Sequence, residues 1–271
     1  KWFASPNNQF KFLDERERGN WLNYLQLCLR LARAIRRLHA AGLAHSDLSY
    51  KNVLLAPTTG NVCIIDMDGL VVPDRFPPEV VGTPDFIAPE CVATSHLSKT
   101  DPQRALPSIF TDRHALAVMV YSLLLLRHPL RGQKVHAEDP GEDERLTMGE
   151  KALFIEHPND ASNRLAPTEN TKPTELPWKD PKKLPYTVTG PYLKELFDRA
   201  FIDGLHEPRQ RPSADEWETA LVKTVDLIQP CQNSSCQQGW FVFDNTTAPR
   251  CPFCGTRYQG KLPVINLYSA R

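Results

Sequence analysis

The chain has 271 residues, 41% of them hydrophobic and 24% charged, and its 32 basic and 32 acidic side chains balance to a formal net charge of zero. That is the composition of a folded domain with a sizeable core, and no basic excess points to nucleic acid or an anionic membrane, local patches staying open. The longest apolar run, Ala115 to Leu126, lies between charged Asp112, Arg113 and Arg127 and is too short to cross a bilayer, so a buried core helix is expected there.

The chain starts at Lys1 rather than Met, which reads as a cut and not as a natural terminus. From Trp21 to Leu38, apolar Leu22, Leu25, Leu29, Ala32, Ile35 and Leu38 recur at helical spacing with Arg30, Arg33, Arg36 and Arg37 between them, and Gly42 closes an amphipathic helix. The arginines are expected on its solvated face, partly covered by an acidic neighbour. Two short apolar runs follow, Asn52 to Leu55 and Val62 to Ile65, joined by Thr58-Thr59-Gly60-Asn61, which predicts a hairpin.

Seven prolines between residues 73 and 107 predict a structured loop with brief helical turns at most, and a second loop-rich region is expected from His128 to about Pro185. Helices are predicted over Tyr192 to Phe201 and, capped by Ser213, over Ala214 to about Ile228. Trp178 and Trp217 are expected in the core or a groove. His157, beside Pro158 and without a second ligand at metal spacing, reads as a packing or hydrogen-bonding residue.

Chemistry concentrates in His45-Ser-Asp-Leu-Ser-Tyr-Lys-Asn52, on the loop between the long helix and the hairpin. Asp47 and Asn52, five positions apart, can be aimed into one site, the first to accept a hydroxyl proton and the second to hold a divalent cation. Asp66 ends the second strand, where a carboxylate can reach the same cation, and Mg²⁺ needs few protein oxygens because water and phosphate supply the rest. Each motif alone is weak, since an Asp after an apolar strand is commonly a turn residue.

Fourteen positions beyond Asp66 begins Val80-Val-Gly-Thr-Pro-Asp-Phe-Ile-Ala-Pro-Glu90, and the ordered set resembles the protein-kinase signature over roughly residues 10 to 228. The resemblance implies the α+β fold of a mostly helical kinase C-lobe. It makes Asp47 the catalytic base, Asn52 and Asp66 the ligands of Mg²⁺ with ATP, and Thr83 a contact of Asp47 that seats the acceptor hydroxyl. Asp112 should open the helix that supports the catalytic loop, and Arg211 should pair with Glu90. Ser46 stands where many kinases carry Arg, and between Asp66 and Glu90 the only hydroxyl side chain is Thr83, so phosphorylation of this segment is not expected to be the switch. Ser49 occupies the usual Lys position, with Lys51 supplying that charge from another direction.

Among the thirteen glycines no Gly-x-Gly pair occurs, and only Lys1 and Lys11 precede the catalytic loop. A glycine-rich loop and a strand-borne phosphate Lys are therefore not in these residues, and the small lobe is expected to be absent, leaving residues 1–229 a C-lobe that is inactive by itself.

Four of the seven cysteines form two close pairs, Cys231 with Cys236 and Cys251 with Cys254, around an insert containing Trp240-Phe-Val-Phe. Four thiolates on two tight turns can close a tetrahedron around a structural Zn²⁺, and Gly255 eases the second turn. Two disulfides or free thiols are the alternative. Residues 230–260 are thus predicted as a β-rich zinc ribbon, and Leu262 to Tyr268, within 261–271, as a strand or the start of a further domain.

Paired cysteines of this kind suit a reducing, cytoplasmic setting. The ribbon after the last helix, with LFIEHP and GLHEPRQRPSADEW, resembles a bacterial kinase subgroup similar to kinases encoded beside a metal-dependent protein phosphatase and a von Willebrand A-domain protein. The implied function is ATP-dependent transfer to Ser/Thr of a protein substrate, with the phosphatase and A-domain protein as partners and with neither nucleic acid nor membrane. A pseudokinase or interaction scaffold is the competing reading, and a small-molecule phosphotransferase is disfavoured by GTPDFIAPE.

Overall fold

The structure, a computed structural model, describes residues 2–72, 82–98 and 100–260. The strand expected over 262–268 and the first part of the proline-rich segment lie outside the described residues. A short helix α1 (Pro6–Phe12) precedes the long helix α2 (Trp21–Ala40), whose start is set by a reciprocal cap: Asn23 N–H donates to Asn20 Oδ1 at 3.0 Å and Asn20 N–H to Asn23 Oδ1 at 2.9 Å. Gly42, at φ 75°, takes the left-handed turn that ends it. The buried face carries Trp21, Tyr24, Leu25, Cys28, Leu31, Ala32 and Ile35.

Strands β1 (Val53–Ala56) and β2 (Asn61–Ile64) pair antiparallel with Val53 opposite Ile64, as the turn chemistry between them predicts. After α3 (Pro89–Ala93) comes α4 (Ile109–Leu125), capped by Ser108 and buried all round from Ala115 to Leu125. A helix without a polar face must be enclosed, and α2 packs along it.

The region from His128 to Pro185 is less loop-like than expected, because α5 (Pro140–Met148) lies inside it. Pro140-Gly141 reads as turn chemistry, yet Pro at the first helical position after an Asp139 cap, followed by Glu142 and Asp143, is a helix start; Glu142 N–H donates to Asp139 Oδ1 at 2.8 Å. Helix α6 (Pro191–Asp198) passes at Arg199–Asp203 into a π-type turn. Helix α7 (Ala214–Asp226) packs on α2, where Arg33 and Arg36 grip Glu218 at 2.7 and 2.6 Å. It ends two residues short of the expected Ile228, because the chain turns there into a strand.

That strand, β3 (Ile228–Pro230), pairs antiparallel with β4 (Trp240–Val242), Ile228 lying opposite Val242. Regular β structure after α7 is confined, among the described residues, to these strands and a bridge between Arg250 and Arg257, less than the β-rich expectation. Prolines 230, 249 and 252 remove the amide donors that longer ladders need. The C-terminal module sits against the helical body: Trp21 N–H donates to Gln238 O at 3.0 Å, and the Phe253 ring lies 5.2 Å from Trp21 and 5.6 Å from Trp178. No helix among the described residues is long and apolar enough to cross a membrane.

Candidate active site

The loop from Ala44 to Asn52 hangs between α2 and β1 and is held from three directions. Asp112, in the first turn of α4 and almost wholly buried, accepts the N–H of His45 at 2.7 Å and of Ser46 at 3.2 Å, with His39 Nε2 at 3.1 Å. A buried carboxylate is tolerated only when such donors surround it, so Asp112 and the loop shape fix one another. Ser46 adopts a left-handed φ of 67° and donates its hydroxyl to Gly69 O at 2.8 Å. His45 Nε2 lies 3.1 Å from Ile65 O, binding the loop to the end of β2.

On this frame Asp47 projects a carboxylate shared between two donors. Asn52 Nδ2 donates to Asp47 Oδ2 at 2.9 Å and to Asp47 O at 2.8 Å, while Thr83 Oγ1 donates to Asp47 Oδ1 at 2.8 Å. Both partners of the Asn52 amide nitrogen are acceptors, and its side-chain oxygen has no hydrogen bond among the described residues. Gly82, at φ 112°, lets the Thr83 segment approach: a β-carbon there would meet Ile87 Cγ1 at 3.2 Å and Ser46 O at 3.4 Å.

Asp66 sits one step away. Ile65 N–H donates to Asn52 O at 2.9 Å, so the residue after Ile65 leaves the hairpin beside the Asn52 backbone. Asp66 is exposed, takes φ 59° and ψ 57°, and its carboxylate has no hydrogen bond or ion pair among the described residues. A left-handed backbone at a non-glycine residue is a local cost, of order 1 kcal/mol, that clusters at functional sites. Leu54 and its cross-strand partner Cys63 are both exposed, Leu54 at 56% accessibility. Lys51 is also exposed, and no hydrogen bond or ion pair joins its side chain to Asp47.

Arg211, with 0% of its side chain exposed, clasps Glu90 with both terminal nitrogens at 2.8 and 2.7 Å and donates further to Gly204 O, Phe110 O and Leu205 O. This is the pairing expected from the motifs, and it anchors the segment that carries Thr83. The expectation for His157 also holds, since its Nδ1 accepts the N–H of Asp160 at 3.0 Å. Cys91 is buried, which pushes its thiol up to about 12 and makes it a packing group rather than a nucleophile.

No motif or spacing in the sequence singles out Asp85, His128 and Arg131. Asp85 has a left-handed φ of 78°, its carboxylate meets Arg131 Nε at 2.6 Å, and its carbonyl accepts from His128 Nε2 at 2.8 Å. Nothing in local sequence ties residues so far apart; only the return of the chain after α4 does.

In the C-terminal module the sulfurs of Cys231, Cys236, Cys251 and Cys254 all lie within 4.8 Å of one another. Cys231 and Cys254 are 3.5 Å apart and Cys236 and Cys251 3.8 Å, too far for disulfides. Four sulfurs about 2.3 Å from a shared tetrahedral ion would stand about 3.8 Å apart, so the donor set is compatible with zinc.

A helical lobe that presents an Asp–Asn pair on a loop, braced by a buried Asp from α4 and closed by a Glu–Arg clasp, has the layout of a protein kinase domain. The protein kinase domain family matches residues 8–217, and the chain belongs to that family. Similar proteins include Protein kinase C-like 2 of Schizosaccharomyces pombe, 26% identical over 227 residues, which are 79% of this chain and 20% of that protein. Serine/threonine-protein kinase PknD of Chlamydia felis is 27% identical over 131 residues (41% of this chain, 13% of that protein), and serine/threonine-protein kinase Pkn1 of Myxococcus xanthus 31% over 113 (39% and 15%). The chain thus spans a fifth or less of the length of these relatives.

Proposed function

We propose that the intact protein transfers the terminal phosphoryl group of ATP to serine or threonine hydroxyls of a protein substrate. The observation that carries this reading is the Asp47 carboxylate, hydrogen-bonded to Asn52 on one oxygen and to Thr83 on the other. An acceptor hydroxyl replacing or joining Thr83 at Asp47 would give up its proton to that carboxylate, and the Asn52 and Thr83 donors would hold the carboxylate oriented while it does so. The side-chain oxygen of Asn52 and the carboxylate of Asp66, unpartnered among the described residues, are hard oxygen donors that fit Mg²⁺. Bound there with ATP, the ion would neutralise charge on the phosphates. The exposed Leu54 side chain is proposed as an apolar floor for the nucleotide. Lys51 is proposed to approach the transferred group only when nucleotide is present.

The relatives named as serine/threonine kinases support a Ser/Thr acceptor. Within residues 1–271 no glycine-rich loop occurs, and these residues by themselves are proposed to hold ATP weakly and turn it over slowly. The Cys₄ site is proposed to hold a structural Zn²⁺ with no open position, in a bacterial, cytoplasmic protein whose partners include a metal-dependent phosphatase and a von Willebrand A-domain protein.

The test is phosphoryl transfer by the intact protein from Mg²⁺-ATP to a protein acceptor, beside Asp47→Asn. Transfer should fall at least about a hundredfold in the variant, in line with loss of a general base. Equal transfer by both proteins, or none by either, removes the phosphotransferase reading and leaves a scaffold that holds partners.

A further inference from the structure

Thr83 reaches Asp47 on a segment, Gly82–Ala88, whose hold on the lobe comes from another quarter. Its middle residue, Asp85, lies in the left-handed region at φ 78°, where a β-carbon is costly and where most non-glycine residues would not stay without outside support. Two side chains from the turn after α4 supply that support. His128 Nε2 lies 2.8 Å from the Asp85 carbonyl oxygen, and its Nδ1 accepts the N–H of Leu130 at 3.1 Å. Only the neutral ring with its proton on Nε2 satisfies both contacts.

Arg131 takes the side chain. Its Nε donates to Asp85 Oδ1 at 2.6 Å and its Nη2 reaches the same oxygen, while Nη1 donates to Glu144 Oε2 at 2.8 Å and Nη2 to Glu144 Oε1 at 2.5 Å. One planar guanidinium thereby bridges the Thr83 segment to helix α5. Lysine has no second edge with which to do this.

The need for such a bridge follows from what the catalytic loop and the segment lack. Ser46 spends its hydroxyl on Gly69 O and brings no charge, and the only hydroxyl side chain between Asp66 and Glu90 is Thr83, already donated to Asp47. No phosphorylated side chain in that stretch can therefore pair with a loop cation and order the segment, whereas the Asp85–Arg131–Glu144 bridge is encoded in the chain. We propose that Arg131, by holding Asp85 in its left-handed conformation against α5, is a positioning residue that keeps Thr83 on Asp47 and the acceptor platform formed without phosphorylation.

This inference rests on the phosphotransferase reading and deepens it. Arg131 and Asp85 are each more than a third exposed, so the pair adds little to global stability and its effect falls on the segment.

The experiment compares the intact protein with Arg131→Ala, Arg131→Lys, Asp85→Ala, Asp85→Gly and the double alanine variant. Steady-state transfer from Mg²⁺-ATP to dephosphorylated casein, melting temperature and amide hydrogen exchange of residues 82–88 are measured for each. Arg131→Ala should lower kcat about tenfold or more while KM for ATP stays within about twofold, as expected when reacting groups are misplaced rather than removed. Amides of 82–88 should exchange faster while those of α2 and α4 do not. The double variant should be no worse than the poorer of the two single ones, because both break the same bridge. Asp85→Gly should retain more activity than Asp85→Ala, since glycine takes this φ without strain, and Arg131→Lys should fall between wild type and alanine.

Wild-type kcat in Arg131→Ala, or a loss matched by a global drop in melting temperature, overturns the positioning role. With Asp47→Asn inactive and Arg131→Ala at full speed, the bridge idea alone falls. With Asp47→Asn as active as wild type, the phosphotransferase reading falls and the positioning role with it.

Discussion

His114 lies wholly inside the lobe on α4 with neither ring nitrogen hydrogen-bonded among the described residues, edge-on to Phe201 at 6.5 Å. Burial, with Arg211, His128 and His206 nearby, holds it well below the usual histidine range. Burial likewise pushes His128 down to about 4, against a weaker upward pull from Asp85. Both rings are neutral in the folded lobe, and the unfolded chain alone takes up protons as pH falls below about 6.5. A depressed folded pKa on a base means stability is complete above the unfolded value and is lost as pH falls from about 6.5 towards 4. Unfolding by urea should show the lobe weaker at pH 5.5 than at pH 7.5, by roughly 1.4 kcal/mol from His128 alone, with His114 adding in the same direction. His114→Phe should flatten that slope; an unchanged slope would mean that the ring titrates normally. At this scale the Asp47, Asn52 and Thr83 cluster was legible from motif order, whereas Asp85 and Arg131 were not, because their pairing depends on a chain reversal.

Helix α4 joins the core to the site, since its first turn carries Asp112 and its remainder is enclosed. Its N-terminus is secured by Ser108, whose Oγ accepts the N–H of Phe110 at 3.2 Å while Thr111 Oγ1 accepts the N–H of Ser108 at 2.8 Å. Ser108→Ala should cost about 1 kcal/mol in chemical denaturation. It should also speed amide exchange at His45 and Ser46, whose N–H groups depend on Asp112. Loss of stability without that change would show the cap and the loop to be uncoupled. Helices α2, α4 and α7 could be read from apolar spacing and caps, because each buries a stripe or a whole surface. Helix α5 could not: it is short, mostly polar and starts with Pro-Gly, so periodicity had little to act on.

The Cys₄ module and the lobe share an aromatic seam. Phe253, between Cys251 and Cys254 of the four-cysteine cluster, touches both Trp21 at the start of α2 and Trp178, and Gln238 O supplies an acceptor to the Trp21 amide. Metal release should therefore be felt in the lobe and not only in the module. The intact protein should contain about one zinc per chain by elemental analysis. Stripping it with a strong chelator should change tryptophan fluorescence and lower the lobe's melting temperature by several degrees, about what 1–2 kcal/mol produces in a domain of this size. Cys231→Ser with Cys251→Ser should do the same without chelator. A melting temperature indifferent to both treatments would show the module to be a passenger.

Residue order alone singled out the side chains proposed to do the chemistry and the long core helices, because motif spacing and apolar period are properties of neighbours along the chain. Tertiary structure decided what holds those side chains in place: the Asp112 brace, the left-handed Asp66 and Asp85, the Arg131 bridge and the Phe253 seam. Each joins residues distant in sequence or fixes a backbone angle that its own residue disfavours, and such terms exist only once the chain has folded back on itself.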